Sequence, residues 1–569
     1  MTAATTLPPA PRTTRRLLLA LAVLLFASAW ALDWNFDAIS SWAAFRAACE
    51  RWATYLGGFA APDLSPAMLQ RCFGLAIETL SVALLGVAIG LVLAYPIALG
   101  STRSVVLGDD VTRGLPYAVA RVWLELGRLL LDVMRGVPDF LWAIVLASIT
   151  GQNAITGVLA IAISTAGIFG KVLSEQWDNV PGERYAALRS TGASRLQVFL
   201  YGIQPLGARA TQSFVLMRTE CAVRNASVIG VVGGGGLGTA LWDEYSDGNW
   251  ARMATVLLYL LVVTATVDLL ANLWRRQLRI DPNHPRARRP VGPVAGAARR
   301  ALAALAVLTI LASSIAYLWP SIERVQRELQ RIDWAFVREF STSLVVPDCS
   351  PATLSSVLHH SIVPLAIAML ATVFGTLAAG ALAYPGSVAF QIEAGRFTGE
   401  RLPTAVLALR WCTLVLARLL ALLLRAIPEV AWVVLLAVFW KQGITPCVIA
   451  VALHSTGVLH RVFAETTDNL SYRTLERGHG PRRRDLFVYS ALPRIWPDWR
   501  TYAFFQFEVN MRIGIALGTV GAGGLGERFR GNLDWRQFHT ASSFLWAMVL
   551  LTIVVDRLSR RLQLRRQRC

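Results

Sequence analysis

The chain has 569 residues, of which 55% are hydrophobic and only 16% charged, with a mean hydropathy of +0.49. A soluble domain carries about a quarter charged residues, so the composition argues against a soluble globular fold. The net charge of +19 raises nucleic-acid binding, but arginine gathers in short segments beside apolar runs rather than over one surface, which argues against that class as well.

In chain order, Arg12, Arg15 and Arg16 precede a first apolar segment, Arg16–Leu32, with the basic start and short apolar core of a signal peptide. A similar segment, Arg300–Trp319, opens the second half, where no signal could act, so both are read as first transmembrane helices. The runs Ala76–Leu99, Leu141–Ile163 and Val256–Leu273 follow, and Pro364–Tyr384, Ala431–Leu453 and Phe544–Val555 repeat the pattern later. A bilayer core of about 30 Å is crossed by roughly 20 mostly apolar helical residues. None of the runs alternates with period two, so spanning helices are expected rather than barrel strands. The spans centre near residues 25, 87, 140, 162, 220 and 262, then near 310, 375, 425, 453, 510 and 548. The fold class is therefore an all-α polytopic membrane protein of about 12 spans.

Charge orients these spans. Arg275, Arg276, Arg279, Arg286, Arg288 and Arg289 follow the sixth span, and Arg557, Arg560, Arg561, Arg565, Arg566 and Arg568 follow the last. The loop Thr239–Trp250, which falls on the other face, carries Asp243, Glu244 and Asp247. This is the positive-inside pattern, and an even number of spans per half puts both termini in the cytoplasm. The expected division is a first repeat at 1–274, an Arg/Pro-rich cytoplasmic linker at 275–299 and a second repeat at 300–569.

The repeat is written in the residues. Pro62-Asp63-Leu64-Ser65-Pro66-Ala67 recurs as Pro347-Asp348-Cys349-Ser350-Pro351-Ala352, an offset of 285. Ala94-Tyr95-Pro96 recurs as Ala383-Tyr384-Pro385, Arg135-Gly136-Val137-Pro138-Asp139 as Arg425-Ala426-Ile427-Pro428-Glu429, and Glu175 with Asp178-Asn179 as Glu465 with Asp468-Asn469. Gly233–Gly238 matches Gly521–Gly526 at an offset of 288. The order is collinear, so the halves are parallel copies related by an axis along the membrane normal. The seven cysteines share no spacing between halves, and adjacent His359 and His360 would point about 100° apart on a helix, which suits no metal. No P-loop is present, since Gly170-Lys171 is followed by Val172 and lies at the end of a span. No metal, cofactor or catalytic residue is expected.

The loop after the fourth span carries the most information. It reads Ala186-Ala187-Leu188-Arg189-Ser190-Thr191-Gly192 and then Pro205 in the first half, and Thr474-Leu475-Glu476-Arg477-Gly478-His479-Gly480 and then Leu492-Pro493 in the second. Glycine and proline stand thirteen apart both times. The glycine allows a short helix to end with positive φ, and the proline is expected near the start of the next helix.

With these residues the chain resembles the permeases of binding-protein-dependent ABC importers, whose loop signature is Glu-Ala-Ala, three residues, Gly, nine residues, Ile, one residue, Leu-Pro. Ala187, Gly192 and Pro205, and Glu476, Gly480 and Pro493, are the matching or neighbouring positions. The acidic first position is Ala186 in one half and Thr474 in the other, with Glu183 and Glu476 out of register. Phe507-Glu508-Val509-Asn510-Met511-Arg512 with Leu517–Gly526 is similar to the fifth-span signature of the phosphonate permease family; Glu220–Arg224 with Ile229–Val232 is a looser copy. The resemblance implies a type I importer permease at the inner (plasma) membrane. It also implies two ATP-binding cassette subunits at the loops, an extracytoplasmic substrate-binding protein, and a phosphonate, phosphite or phosphate substrate.

Ionisable residues inside spans are costly and are functional candidates. Glu220 and Arg224, and Glu508 and Arg512, are spaced i, i+4 and share a helix face. They read either as self-neutralising pairs or as a translocation path whose guanidinium forks meet an oxyanion. Arg135 and Arg425 read as snorkelling residues at the cytoplasmic ends of their spans. The glycine runs read as close-packing turns in preference to anion nests. A secondary transporter with two parallel halves shares the repeat but has no need of two Gly-x12-Pro loops; a membrane enzyme lacks any nucleophile or metal motif.

Overall fold

The computed structural model describes residues 22–107, 115–278, 293–331, 333–392, 403–470 and 483–567. Among them every regular element is a helix. The first half runs α1 (22–30), α2 (Trp42–Ala60), α3 (Pro66–Gly100), α4 (Leu115–Gly136), α5 (Asp139–Thr150), α6 (Ala154–Asp178), α7 (Ala186–Ser190), α8 (Gln204–Ile229), α9 (Gly236–Ser246) and α10 (Trp250–Leu278). The second runs α11 (Pro293–Gln330), α12 (Trp334–Val345), α13 (Pro351–Gly386), α14 (Thr404–Ala426), α15 (Glu429–Trp440), α16 (Ile444–Asp468), α17 (Leu492–Leu517), α18 (Gly524–Asp534) and α19 (Phe538–Gln567). Eight of these helices are long and apolar enough to cross a membrane, and α5 and α15 are shorter apolar helices.

The repeated motifs are punctuation. Ser65 and Ser350 cap α3 and α13, accepting from the Met68 and Thr353 N–H groups, with Pro66 and Pro351 in the first helical position. Asp63 and Asp348 in turn accept from the Ser65 and Ser350 N–H groups. At the other end of the bundle, Asp178 takes the N–H groups of Arg103 and Ser104 and an Arg128 guanidinium. Its counterpart Asp468 takes the Ala389 N–H, the Ser387 hydroxyl and Arg418.

The span expected around residue 140 is broken. α4 and α5 meet at Val137-Pro138, and together they run antiparallel to α6: Arg128 pairs with Asp178, Gly167 lies against Arg135, and Asp139 bonds Ser164. They make one traverse in two pieces, and α14 with α15 does the same. The apolar run Leu141–Ile163 is likewise two helices, separated by a turn where Gly151 takes φ +72° and Asn153 caps α6.

The halves interlock. Leu25, Ala29 and Leu32, in and just after α1, pack with Ala366, Ile367, Val430 and Ile444 of the second half, and the Asn35 N–H bonds the Thr445 hydroxyl. Reciprocally, Leu311 and Leu318 of α11 pack on the α3–α6 core, and the Tyr317 hydroxyl bonds the Gly74 carbonyl. The short helices cross over too. Val137 at the break and Leu141 and Val145 of α5 lie among Ile515, Leu525, Phe529 and Phe544 of α17–α19. α15 places Ala431 and Val434 among Leu237, Met253 and Val256 of α9 and α10.

Candidate functional site

The broken span positions the site. Pro138 and Pro428 cannot donate a backbone hydrogen bond, so the helix stops before each. The freed carbonyls are met by indoles two turns on: Trp142 Nε1 donates to the Met134 carbonyl and Trp432 Nε1 to that of Leu424, both at 3.2 Å. The ends of α4 and α14 are seated on glycines of their own half. A Cβ at Gly167 would come 2.5 Å from the Arg135 nitrogen, and one at Gly457 would come 2.6 Å from the Arg425 nitrogen. Arg135 and Arg425 are thus fixed to their own halves, at the boundary with the other.

There they meet carboxylates of the opposite half. Arg135 reaches Asp556 at 2.6 Å and Glu508 at 3.3 Å, and Lys171 adds a contact of 3.3 Å to Asp556. Asp132, from the first half, joins Arg135 at 3.1 Å and Lys171 at 2.5 Å. Symmetrically, Arg425 pairs with Asp268 and, at 3.3 Å, with Glu220; Arg461 reaches Glu220 at 3.3 Å and Asp268 at 3.2 Å. The side chains of Arg135, Glu508 and Asp556 are only 10%, 8% and 7% exposed, so the charges compensate one another with little help from water. Alongside each cluster a threonine hydroxyl crosses the boundary to the last carbonyl before the break: Thr552 to Gly136 at 3.2 Å and Thr264 to Ala426 at 3.4 Å.

This corrects the sequence-based reading of Arg135 and Arg425 as snorkelling residues at span ends. Each sits eleven residues, roughly 16 Å of helix rise, inward of the loop end of α6 or α16, against Gly167 or Gly457. Lys171 is also inside its helix rather than at its end. Sequence reasoning missed Lys171 and Arg461 as a pair, although both lie at the 290-residue offset of the neighbouring motifs.

The two i, i+4 pairs behave differently. Arg512 does pair with Glu508. Arg224 forms no ion pair among the described residues, because Glu220 turns to Arg425 and Arg461, and the Arg224 Nε is buried without a hydrogen-bond partner. Asp139 accepts from Ser164, Arg218 and Asn225 within the first half, whereas Glu429 faces His454 at 3.1 Å in the second. A cavity of about 260 Å³ adjoins the first cluster, lined by Arg128, Asp132, Lys171, Glu175 and Arg557 among others.

In the first-half loop, Ala187 lies in the exposed short helix α7, and Gly192 follows it with φ +80°. Pro205 stands in the first turn of α8, as expected, but α8 does not start from a loop. Helix is continuous from Arg195 to Ile229, with a π-type turn at Phe199–Ile203 directly before the proline. Arg483 to Leu517 repeats this with a π turn at Phe487–Ala491 before Pro493. The wider turn accommodates a residue that cannot donate to its i−4 carbonyl. Glu476 and Gly480 lie outside the described residues.

The glycine runs fold α9 and α18 back on the preceding helices. A Cβ at Gly238 would lie 1.9 Å from the Ser227 carbonyl oxygen, and one at Gly526 would lie 2.1 Å from that of Ile515. Close packing accounts for the glycines.

The family of binding-protein-dependent transport system inner membrane components matches residues 117–280 and again 402–568, together more than half of the chain. The chain belongs to that family: it is a multi-pass permease component of an inner-membrane transport system, with two copies of the permease domain in one polypeptide. Among individual proteins, it is 25% identical to the phosphate-import permease protein PhnE of Mycolicibacterium smegmatis, over 85% of this chain and 84% of that one. It is 28% identical to the phosphite transport system permease protein PtxC of Stutzerimonas stutzeri (36% of this chain, 70% of that one) and 31% identical to the permease protein HtxC of the same organism (38% and 71%). A solved chain of the inward-facing MetNI methionine ABC transporter overlaps 38% of this chain and 100% of its own, at 17% identity and a TM-score of 0.33.

Proposed function

We propose that this chain supplies both membrane halves of an ATP-driven importer for a phosphorus oxyanion. The observation that carries the substrate class is the similarity, over 85% of the chain, to a permease named for phosphate import, and over shorter stretches to a permease named for phosphite transport. Phosphonate, phosphite and phosphate share a tetrahedral anionic phosphorus centre that guanidinium forks recognise. The partners are two ATP-binding cassette subunits and an extracytoplasmic substrate-binding protein, with both termini of the chain in the cytoplasm. The halves divide at the linker 275–299, giving repeats 1–274 and 300–569.

In this reading the loops with Ala187 and Gly192, and with Glu476 and Gly480, dock on the ATPase subunits, and helices that begin before Pro205 and Pro493 carry the motion to Glu220, Arg224, Glu508 and Arg512. Of these, Arg224 is the residue best suited to meet the passing anion. Its charge has no carboxylate partner among the described residues, whereas Arg512 is held by Glu508.

The test is transport by the whole assembly. The chain is co-expressed with the neighbouring ATPase and binding-protein subunits, purified by a tag on this chain and reconstituted in liposomes. Uptake of radiolabelled phosphite and phosphate is expected, dependent on ATP and competed by methylphosphonate. If no ATPase subunit copurifies, or uptake follows an ion gradient rather than ATP, the reading fails.

A further inference from the structure

Beyond the proposed docking loops and path, repeated residues of the two halves meet at the boundary between them. All four members of each cross-boundary cluster have a counterpart in the other: Arg135 and Arg425, Lys171 and Arg461, Glu508 and Glu220, Asp556 and Asp268. In both, the two cations come from one half and the two carboxylates from the other. The polarity is reciprocal, since the first half gives cations to one cluster and carboxylates to its twin. A threonine beside each cluster shares its hydroxyl proton between a carbonyl of its own helix, at 2.8 or 2.9 Å, and the one across the boundary, at 3.4 or 3.2 Å.

We propose that these clusters are twin latches that hold the two halves in their resting arrangement, making Arg135, Lys171, Arg425 and Arg461 positioning residues for the transport cycle. The argument is geometric. Each arginine is seated on Gly167 or Gly457 of its own half, with no room between the backbones, so it cannot follow its carboxylates if the other half moves. A rigid-body rotation or shear of the halves by even 1–2 Å stretches contacts of 3.2–3.3 Å beyond hydrogen-bond range. Buried charges that lose their partners are strongly penalised, so the resting arrangement is favoured until the motion brings compensation. Two latches of opposite polarity share this load, which keeps the halves from tilting about one of them alone.

The twins are not identical. Asp132 adds a carboxylate to the Arg135 cluster where the second half has Leu422, and Asn272 accepts from Arg461. Each cluster also ties one cation to its own half, Lys171 to Asp132 at 2.5 Å and Arg461 to the half-exposed Glu465 at 3.4 Å, and Glu508 is shared with Arg512 of its own half, so the Arg135 cluster has the larger internal share. Disabling the Arg425 latch is expected to have the larger effect.

The inference rests on the ATP-driven rearrangement of the halves proposed above, and the experiment separates the two. Spin labels are placed at Asp247 and Trp535, exposed counterparts on the opposite face from the docking loops, in a cysteine-depleted chain assembled with its ATPase subunits in nanodiscs. Inter-label distances are measured at rest and after trapping with ATP and vanadate, beside basal ATP hydrolysis. The chain with intact latches gives one resting distance and a different trapped one. The double variant Glu220→Gln with Asp268→Asn moves the resting population toward the trapped distance by about tenfold and raises basal hydrolysis. Glu508→Gln with Asp556→Asn does the same to a smaller degree. Thr264→Val and Thr552→Val, mild enough to leave the fold intact, shift it about twofold in the same direction.

If the intact chain shows the two distances but the carboxylate and threonine variants leave the resting distribution and basal hydrolysis unchanged, the latches are refuted while the importer reading stands. If the intact chain shows no change on trapping, the rearrangement itself is refuted and the latches with it.

Discussion

Replacing Gly457 by alanine tests the positioning of Arg425 at a single methyl group. The new Cβ would lie 2.6 Å from the Arg425 nitrogen, 2.7 Å from the Ala421 carbonyl oxygen and 3.0 Å from the Arg425 Cβ. Comfortable contacts begin near about 3.5 Å, so α14 must retreat by roughly 0.5–1 Å. No rotamer change can relieve the clash, because the opposing atoms are backbone or Cβ. Overpacking of this kind costs about 1–3 kcal/mol. The retreat also carries the guanidinium away from Glu220, which it meets at 3.3 Å, and from Asp268. Breaking a buried pair costs up to about 3–5 kcal/mol, but both losses arise from one displacement and do not simply add. A total near 2–4 kcal/mol is expected.

The assay is unfolding of the purified chain in detergent, with uptake measured in proteoliposomes. Gly192→Ala is the control, since its methyl meets nothing within 4 Å and its cost is confined to about 1–2 kcal/mol of left-handed backbone strain. Gly457→Ala should melt well below this control and lose most uptake. Wild-type stability with wild-type uptake would refute the account of how Arg425 is held.

Four further outcomes are expected. Gly192→Val, next to the exposed helix α7, should abolish stimulation of the ATPase by substrate-loaded binding protein while the chain still purifies as a folded monodisperse species. Arg224→Gln should lower maximal uptake at least tenfold with little change in melting, whereas Arg512→Gln should lower the melting temperature by removing a partner of buried Glu508; reversed outcomes would exclude Arg224 from the path. Trp142→Phe and Trp432→Phe, which leave the Met134 and Leu424 carbonyls without their indole donors, should each cost about 1–3 kcal/mol in denaturant unfolding. Finally, Asp348 is held below the usual carboxylate range chiefly by the Thr353 hydroxyl and then the Ser350 N–H, and Asp63 by the Ser65 side chain and N–H. A depressed folded pKa adds stability that is complete above the unfolded value near about 4 and is lost as pH falls toward the folded one. Melting should hold from neutral pH to about pH 5 and fall below it, and Asp63→Asn with Asp348→Asn should flatten that fall.

Much of the fold was legible in the residues because bilayers impose length and apolarity on each span, and because caps and breaks are local. The Ser65 and Ser350 caps and the Pro138 and Pro428 breaks act through their own and adjacent backbone, yet the residues gave only their repetition and not these roles. Gly192 adopts the positive φ that its place after α7 demanded. Local reasoning placed Pro205 and Pro493 near helix starts, where they stand, but not the π turns that join α8 and α17 to the short helices before them.

The residues alone therefore determined a duplicated helical membrane protein, its parallel repeats and the loop pattern of its family. Tertiary structure decided which charges meet. Glu220 and Arg224 are one turn apart and invite pairing, yet Glu220 is taken by Arg425 and Arg461, more than 200 residues away. It also decided that α1 and α11 pack on each other's halves and that α5 and α15 cross the boundary. The physical reason is that a span's apolar surface specifies burial but no particular partner, since lipid and a neighbouring helix satisfy it alike. Only the assembled interface, where a buried charge must find its counter-ion, selects among the alternatives.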